Sequence, residues 1–345
     1  MNKIILAAAA FLLFASAGFS ADKVDSLLGA GATFPYPLYS KMFEEYYSVK
    51  QMKINYQAIG SGGGIQQLIS KTVDFGASDA PMNAGEKKAA KDEVIHIPTC
   101  LGAVVLTYNL PGNPQLNFTP AIVADIYLGK ITKWNDPAII AANKGTTLPD
   151  TPITVVHRSD GSGTTYTFSG YLTAVSAEWA SKVGQGKSLN WPVGIGGKGN
   201  PGVTAYIKQV PGGFGYVEQA YAVQNGMPMG ALQNKSGKFI TASLESVMKA
   251  ADVDLPANGQ ASIVDTASPE GYPICTFTWI ILYKEQSFGG RPLNRVKATV
   301  DLIWWMVHEG QQYNEALLYG KLPPKAVKLD EDLINSVVYH GKQVH

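Results

Sequence analysis

Residues 53–77 read KINYQAIGSGGGIQQLISKTVDFGA, and this stretch decides the fold because it predicts a strand, a helix and a second strand in succession. Apolar and polar residues alternate over residues 53–59, which is typical of a half-buried strand. Glycines then interrupt the pattern, helical spacing begins at Ile65, and a short second strand is predicted over residues 73–77. This order is typical of α/β proteins, in which helices cover a sheet of mainly parallel strands.

The same alternation continues along most of the chain. Further strands are predicted at residues 95–108, 153–157, 214–217 and 274–283, a helix is predicted at residues 165–175, and the last seventy or so residues are mainly helical. Proline follows an N-cap residue at Thr119-Pro120, Asp136-Pro137 and Asn200-Pro201, so helices are expected to begin there. We therefore expect an open, mostly parallel sheet flanked by helices, with ligands bound outside the carboxyl ends of its strands.

The first residues of the chain are interpreted as a secretory signal peptide, residues 1–21. Lys3 provides a basic start, residues 4–14 are apolar but too few to span a bilayer as a helix, and small residues follow. We expect the segment to be cleaved and the mature protein to be exported. An uncleaved membrane anchor is the alternative, and the shortness of the apolar run argues against it.

The length of the chain predicts two lobes. Roughly 320 residues remain after the signal peptide, which is more than a single core usually supports. The strands predicted at residues 101–108 and 274–283 are candidates for the crossings between lobes. These crossings assign residues 22–106 plus 270–345 to lobe I and residues 107–269 to lobe II.

Charge, histidine and cysteine usage restrict the possible partners. The 28 Lys and Arg residues nearly balance the 27 Asp and Glu residues without a basic stripe, so neither nucleic acid nor a membrane surface is expected as a partner. The five His residues are scattered without the spacing of metal ligands, so no metal site is expected. Cys100 and Cys275 lie in apolar, strand-like segments, and a disulfide between them and two buried free thiols fit the sequence equally well.

Three glycine-rich segments have the composition of one anion site: GAGATFP at residues 29–35, GSGGG at 60–64 with DFGASDAP at 74–81, and RSDGSGT at 158–164. Each supplies hydroxyl and backbone N–H donors where a strand gives way to a helix, and the helix dipole favours an anion there. For the first segment alone, a structural turn explains the sequence equally well. The third is the most specific, because it combines a cation, Arg158, with an acid that can orient it, Asp160.

Asp79 is unexpected beside an anion, because a carboxylate repels a fully ionised ligand. The repulsion is avoided if the ligand carries a proton that the carboxylate can accept in a hydrogen bond. Phosphate keeps at least one proton near neutral pH and sulfate keeps none, so the sequence favours phosphate over sulfate or molybdate. The alternative role for Asp79 is that of a helix N-cap before Pro81, and the two roles are compatible.

An enzyme is the competing class of protein. Ser61 or Ser162 could act as a nucleophile, but neither lies in a GxSxG turn, and the three segments contain no His or Lys to act as a base. His157 precedes Arg158, but in an alternating strand its side chain points to the other face. Residues 194–199, GIGGKG, match GxGxxG without the acidic residue of a dinucleotide site. We therefore expect neither catalysis nor a cofactor.

Seven segments, in their order and spacing, resemble the periplasmic phosphate-binding proteins of ABC-type importers: GAGATFP, INYQAIGSGGG, DFGASDAP, DIYLGKITKWNDPAI, RSDGSGT, WPVGIGGKGNPGV and PGGFGYVE. The resemblance covers residues 29–283. It implies a two-lobed periplasmic-binding-protein fold of type 2 that closes on phosphate by a hinge. It also implies a monomer in the periplasm that delivers phosphate to a membrane permease.

Carried over position by position, the resemblance implies a set of phosphate contacts: Thr33, Phe34, Ser61, Asp79, Arg158, Ser162, Gly163 and Thr164. Asp160 is then expected to pair with Arg158. Gly62 stands where the family often has a second serine, which removes a hydroxyl but keeps the backbone donor. The cysteine pair does not belong to the family pattern.

Overall fold

The computed structural model describes residues 24–345, so the expected signal peptide lies outside the described residues. Strands occupy the predicted apolar and alternating stretches, with shifts of one or two residues at their ends. The strands are β1 (Ser26–Gly31), β2 (Lys53–Ala58), β3 (Phe75–Ser78), β4 (Val94–Tyr108), β5 (Asn117–Phe118), β6 (Thr154–Arg158), β7 (Ile195–Gly197), β8 (Gly213–Glu218), β9 (Ala231–Gln233), β10 (Phe239–Ile240), β11 (Cys275–Tyr283), β12 (Val338–Tyr339) and β13 (Lys342–Gln343).

Helices fill most of the segments between these strands: α1 (Tyr36–Lys50), α2 (Ser61–Ile69), α3 (Ala84–Ala90), α4 (Pro120–Tyr127), α5 (Pro137–Ala142), α6 (Gly163–Val175), α7 (Ala177–Lys182), α8 (Gly199–Gln209), α9 (Gln219–Gln224), α10 (Leu244–Ala250), α11 (Leu293–Val307) and α12 (Pro324–Asn335). Short 3₁₀ turns lie at Phe288–Gly290, Glu309–Tyr313 and Glu315–Leu317. Among residues 24–345, no helix is both long enough and apolar enough to span a membrane.

Two of the three predicted helix starts are confirmed by their caps. The side chain of Thr119 accepts from the N–H of Ile122, and the side chain of Asp136 accepts from the N–H of Ala138. The third prediction is wrong, because α8 begins at Gly199 with Lys198 as its N-cap. Asn200 therefore lies inside the first turn, where its side chain is free for contacts outside the helix.

Eight strands form one sheet in the order β2-β1-β3-β11-β4-β8-β6-β7. The outer strands are parallel, as predicted: β2 with β1, β1 with β3, β8 with β6, and β6 with β7. The three central pairings, β3 with β11, β11 with β4 and β4 with β8, are antiparallel. Two parallel groups thus flank an antiparallel centre, in agreement with the expected two-lobed α/β fold.

β4 is the strand that both halves of the sheet share. Its fifteen residues would extend about 50 Å at roughly 3.3 Å per residue. Its first part, up to Ala103, pairs with β11, and its second part, from Val104, pairs with β8. All residues of β4 after Val94 are buried, because helices cover both faces of the sheet here.

Cys100 and Cys275 lie on the neighbouring strands β4 and β11, as expected, but the predicted alternative of a disulfide is wrong, because both are buried free thiols. In the antiparallel register, Cys275 lies opposite Ala103 and Cys100 lies opposite Thr278. This offset of three residues separates the two Cα atoms by about 10 Å, beyond the limit of about 7 Å for a disulfide. Burial raises the pKa of both thiols.

Candidate functional site

The predicted anion-binding segments meet where strands of both halves of the sheet end and helices begin. The first segment follows β1, the second links β2 to α2 and then follows β3, and the third links β6 to α6. Because parallel strands of one group end at the same edge of the sheet, these loops converge. Hydrogen bonds between residues more than 100 positions apart join them into one cluster.

Ser61, the first residue of α2, lies at the centre of this cluster. Its Oγ accepts hydrogen bonds from the N–H of Asp79 at 3.2 Å and from the N–H of Gly163 at 3.0 Å. A hydroxyl oxygen has two lone pairs, and these two hydrogen bonds occupy both of them. In any further contact, the Ser61 hydroxyl can therefore act only as a donor. Asp79 Oδ2, at 3.5 Å, is one acceptor for it. Ser61 therefore connects the loops of the two halves.

Two glycines allow these loops to touch. Gly60 has a φ of +90°, and a Cβ there would lie 2.2 Å from Asp160 Oδ2. A Cβ on Gly163 would lie 2.6 Å from Ser61 Oγ and equally close to Asp79 Oδ2. Neither position can carry a side chain in this arrangement. The glycine-rich composition thus serves close approach of backbone segments.

Arg158, at the end of β6, supplies the cation of the site. Its Nε and Nη2 donate to the two carboxylate oxygens of Asp160 at 2.8 and 2.5 Å, and its Nη1 donates to Thr164 Oγ1 at 3.2 Å. Burial alone would raise the pKa of Asp160, but the hydrogen bonds and charge of Arg158 hold that pKa below its usual value. The guanidinium is therefore fixed in position, and most of its charge is balanced by Asp160.

Asp79 follows β3 and is 2% exposed. Its Oδ1 accepts a hydrogen bond from Thr278 Oγ1 of β11 at 3.0 Å. Burial raises the pKa of Asp79 to about 7, although the hydrogen bond from Thr278 and the charge of Arg158 lower it. Near neutral pH this carboxyl group can therefore gain or lose a proton within the site.

Asp79 is not a helix N-cap. The next helix, α3, begins at Ala84, and its N-cap is Asn83, which forms a capping box with Glu86. The alternative structural role considered for Asp79 is therefore wrong. The side chain of Asp79 is instead directed toward Ser61.

Thr33 and Phe34 follow β1 and are held from several directions. Thr33 Oγ1 accepts hydrogen bonds from the backbone N–H of Asn200 at 3.0 Å and from its Nδ2 at 3.1 Å. The carbonyl of Thr33 accepts from Tyr221 Oη at 2.6 Å, and that of Phe34 accepts from Tyr319 Oη at 2.7 Å. These contacts fix the loop whose hydroxyl and N–H groups were predicted to meet an anion.

Ser162, Gly163 and Thr164 lie at the start of α6. Ser162 is the N-cap, and its Oγ accepts from the N–H of Thr165 at 3.0 Å. Thr164 Oγ1 accepts from Arg158 and also from Asn200 Nδ2, at 3.2 Å in each case. All eight predicted contact residues therefore lie in one connected, buried cluster.

The sequence motifs did not indicate five polar residues that contact the predicted ones: Asn200, Tyr216, Tyr221, Thr278 and Tyr319. Tyr216 Oη accepts from the N–H of Arg158 at 3.2 Å, and Thr278 donates to Asp79. Tyr216 and Thr278 occupy strands that are otherwise mainly apolar, and a polar residue in such a strand was the available signal. Asn200 was overlooked because the following proline suggested a helix cap.

The imidazole of His157, the residue before Arg158, packs against an aromatic ring. The ring of His157 stacks on Trp191 at 4.7 Å, and its Nδ1 lies 3.0 Å from the carbonyl oxygen of Arg158. Burial lowers the pKa of His157. Among residues 24–345, no three His, Cys, Asp or Glu side chains are grouped as metal ligands.

An ion pair at the edge of the cluster also joins the two halves. Lys187 Nζ lies 2.6 Å from Glu86 Oε2, and the two side chains are only 11% and 14% exposed. The carbonyl of Lys187 accepts from the N–H of Ser162 at 2.8 Å. Lys187 therefore connects this ion pair to Ser162, the N-cap of α6.

Comparison with known proteins agrees with this architecture. A model of the PBP superfamily domain matches residues 19–296. The chain belongs to the PBP superfamily. The phosphate-binding protein PstS of Xylella fastidiosa strain Temecula1 is 46% identical to this superfamily member over 318 residues, which cover 90% of this chain and 85% of the relative. PstS of Pasteurella multocida is 44% identical, with 89% of each chain covered.

A solved structure is similar in fold. The crystal structure of a phosphate-binding protein from Stenotrophomonas maltophilia has a TM-score of 0.64 and 15% sequence identity. The match covers 88% of this chain and 92% of the other. This likeness supports the two-lobed fold independently of the residues in the cluster.

Proposed function

We propose that this protein binds inorganic phosphate between its two lobes and delivers it to the membrane permease of an ABC-type importer. The observation that carries the proposal is the position of Asp79. This buried carboxyl group lies among hydroxyl and N–H donors, beside a cation that Asp160 already balances. Such a site suits an anion that still carries a proton.

Phosphate satisfies both kinds of group in the site. Its ionised oxygens accept hydrogen bonds from hydroxyls, from backbone N–H groups and from Arg158. One proton is shared with Asp79, whose pKa of about 7 is near the second pKa of phosphate. Sulfate brings no proton, so it would either face an ionised carboxylate at short range in a buried site or require Asp79 to take up a proton from water first, and both reduce its affinity.

We propose direct phosphate contacts for eight residues: Thr33, Phe34, Ser61, Asp79, Arg158, Ser162, Gly163 and Thr164. Their convergence in one buried cluster supports this assignment. Phe34 and Gly163 would contribute backbone N–H groups, and the hydroxyl residues would donate. Asp160 would orient Arg158 without contacting the ligand.

The remaining parts of the proposal concern the whole protein. We assign residues 22–106 plus 270–345 to lobe I and residues 107–269 to lobe II, and the change of strand partners between Ala103 and Val104 of β4 supports a boundary nearby. We propose that the protein acts as a monomer in the periplasm after cleavage of residues 1–21. Binding without chemistry is supported by the names of the relatives, which are phosphate-binding proteins.

Titration calorimetry of the ligand-free protein with phosphate and then with sulfate, at pH 7 and constant ionic strength, tests this function. We expect heat of binding with phosphate and none with sulfate. In Asp79→Asn, the carboxamide can donate a hydrogen bond, so the affinity for sulfate should rise while that for phosphate stays the same or falls.

Asp330→Asn is the matched control, because Asp330 is also a buried carboxyl group with a raised pKa but belongs to α12. Its ratio of sulfate to phosphate affinity should equal that of the wild type. An unchanged ratio in Asp79→Asn would show that Asp79 does not select the ligand. Absence of phosphate binding by the wild type would contradict the proposed function itself.

A further inference from the structure

The cluster contains one residue whose contacts determine how two of the hydroxyls can act. Asn200 is fully buried, and all of its polar atoms have partners. Its Oδ1 accepts from the N–H of Glu218 at 2.9 Å. Since a backbone N–H can only donate, this contact fixes which end of the amide is the oxygen. Nδ2 must then face Thr33 and Thr164.

The lone pairs of both threonine hydroxyls are occupied in this arrangement. Thr33 Oγ1 accepts from the backbone N–H and from Nδ2 of Asn200. Thr164 Oγ1 accepts from Nδ2 of Asn200 and from Nη1 of Arg158. With two hydrogen bonds accepted, each hydroxyl can use only its hydrogen for a further contact.

From this geometry we infer that Asn200 is a positioning residue that makes Thr33 and Thr164 obligatory hydrogen-bond donors to the anion. The inference rests on the proposed function, since both hydroxyls belong to the proposed phosphate contacts. It also defines how the ligand is oriented. The phosphate oxygens near these two hydroxyls act as acceptors, so neither hydroxyl can accept the proton of the ligand, and that proton is left for Asp79.

The contact between Asn200 and Thr33 also connects the two halves of the molecule. Thr33 follows β1 in the first half, and Asn200 lies in the first turn of α8 in the second. The hydroxyl of Thr33 is therefore oriented only when the halves are as close as they are here. Asn200 thus links closure to the direction of a hydrogen bond toward the ligand.

Double-mutant cycles on phosphate affinity test this role. Asn200→Asp keeps the shape of the side chain and the acceptor for the N–H of Glu218, but replaces the donor with an acceptor. Both threonine hydroxyls can then donate to the new carboxylate instead of to phosphate. We expect phosphate affinity at pH 7 to fall by about 10- to 100-fold or more, because hydrogen bonds to a charged group are lost and because the new carboxylate repels the anion. The loss in this single variant therefore does not by itself establish the role of Asn200.

The coupling between Asn200→Asp and a substitution of either threonine distinguishes a positioning role of Asn200 from a merely structural one. Each threonine substitution, Thr33→Val or Thr164→Val, lowers the logarithm of the phosphate affinity by some amount in the wild type. In the Asn200→Asp protein, the same substitution should lower it by less than half of that amount. Ser61→Ala is the matched control. The Ser61 hydroxyl is oriented by Asp79 and Gly163 rather than by Asn200, so its effect should be additive.

Additive cycles for both threonines, with phosphate binding intact in the wild type, would overturn the role of Asn200 and leave the proposed function standing. A wild type that does not bind phosphate would overturn both. If Asn200→Asp does not fold, the single variants still test the donor role of Thr33 on which the inference depends, because Thr33→Val should weaken binding at least fivefold and Thr33→Ser should not. Equal affinity of Thr33→Val and the wild type would contradict the inference.

Discussion

At Arg158, a single side chain carries the positive charge of the proposed pocket. Replacing it with alanine would leave a buried anion without its charged partner and would leave Asp160 unbalanced beside it. We therefore expect Arg158→Ala to weaken phosphate binding by about 2–5 kcal/mol, the typical cost of removing one member of a buried charge pair. Titration calorimetry measures this loss.

Asp160→Asn provides the comparison for Arg158. The amide still accepts one hydrogen bond from the guanidinium, so this variant should lose less affinity than Arg158→Ala. A loss below tenfold in Arg158→Ala would place the guanidinium outside the binding contacts.

Residues whose role depends on local sequence were predicted better than residues whose role depends on distant partners. Arg158 and Asp160 are two positions apart, so their pairing is visible in the motif itself. Asn200 acts on Thr33, 167 positions away, and the neighbouring proline indicated only a local role. No pattern in a single sequence reports which distant groups share a hydrogen bond.

At the level of elements, α12 carries an unusual residue on its buried face. Asp330 is 0% exposed, and within the described residues neither carboxyl oxygen has a hydrogen-bond partner. Burial raises its pKa well above the usual value. The folded chain therefore keeps a proton where the unfolded chain has lost it, so this residue lowers stability as pH rises above about 4.

We accordingly expect Asp330→Asn to raise the free energy of unfolding by about 1–3 kcal/mol at pH 8, by removing the cost of a buried ionisable group. The difference should shrink toward pH 3, where the Asp330 carboxyl group is protonated in the folded and in the unfolded chain. Thermal unfolding at the two pH values provides the measurement. Asp332→Asn, at an exposed position of the same helix, should change little at either pH. Equal stability of Asp330→Asn and the wild type at pH 8 would contradict this interpretation.

The elements themselves followed from the sequence, whereas their order in the sheet did not. Alternation and apolar runs located β2, β4 and β11 to within about two residues, because periodicity is a local property. The insertion of β11 between β3 and β4 depends on pairing across more than 170 residues. The absence of a disulfide could not be predicted for the same reason. The strands of Cys100 and Cys275 are neighbours, but the two thiols are too far apart because of the register between those strands, which the sequence does not show.

At the level of the whole molecule, the Lys187–Glu86 ion pair should help hold the two halves together. Both side chains are largely shielded from water, so the attraction is stronger than for a typical surface pair. Glu86→Gln keeps the size and the acceptor of the α3 capping box but removes the charge. We expect phosphate to dissociate about 3- to 10-fold faster, a range that corresponds to about 0.7–1.4 kcal/mol.

Stopped-flow measurement of the dissociation rate at low and high salt tests this expectation. Glu178→Gln is the control, because Glu178 also pairs with lysines but lies within one half and is more exposed. Its dissociation rate should match that of the wild type. A Glu86→Gln variant that releases phosphate at the wild-type rate would show that the ion pair does not contribute to closure.

The place of β11 in the sheet has a consequence for the order in which the molecule can be completed. This strand lies at the centre of the sheet but begins only at residue 275. During synthesis, the edges of β3 and β4 that pair with β11 therefore stay unpaired until nearly 170 further residues have been added after β4. Before that point, β8 can already pair with the second part of β4, from Val104, and β6 and β7 can join β8. The half that contains the chain's beginning must then be the last to finish folding, and until it does, its open edges are the places where a newly made chain can associate wrongly.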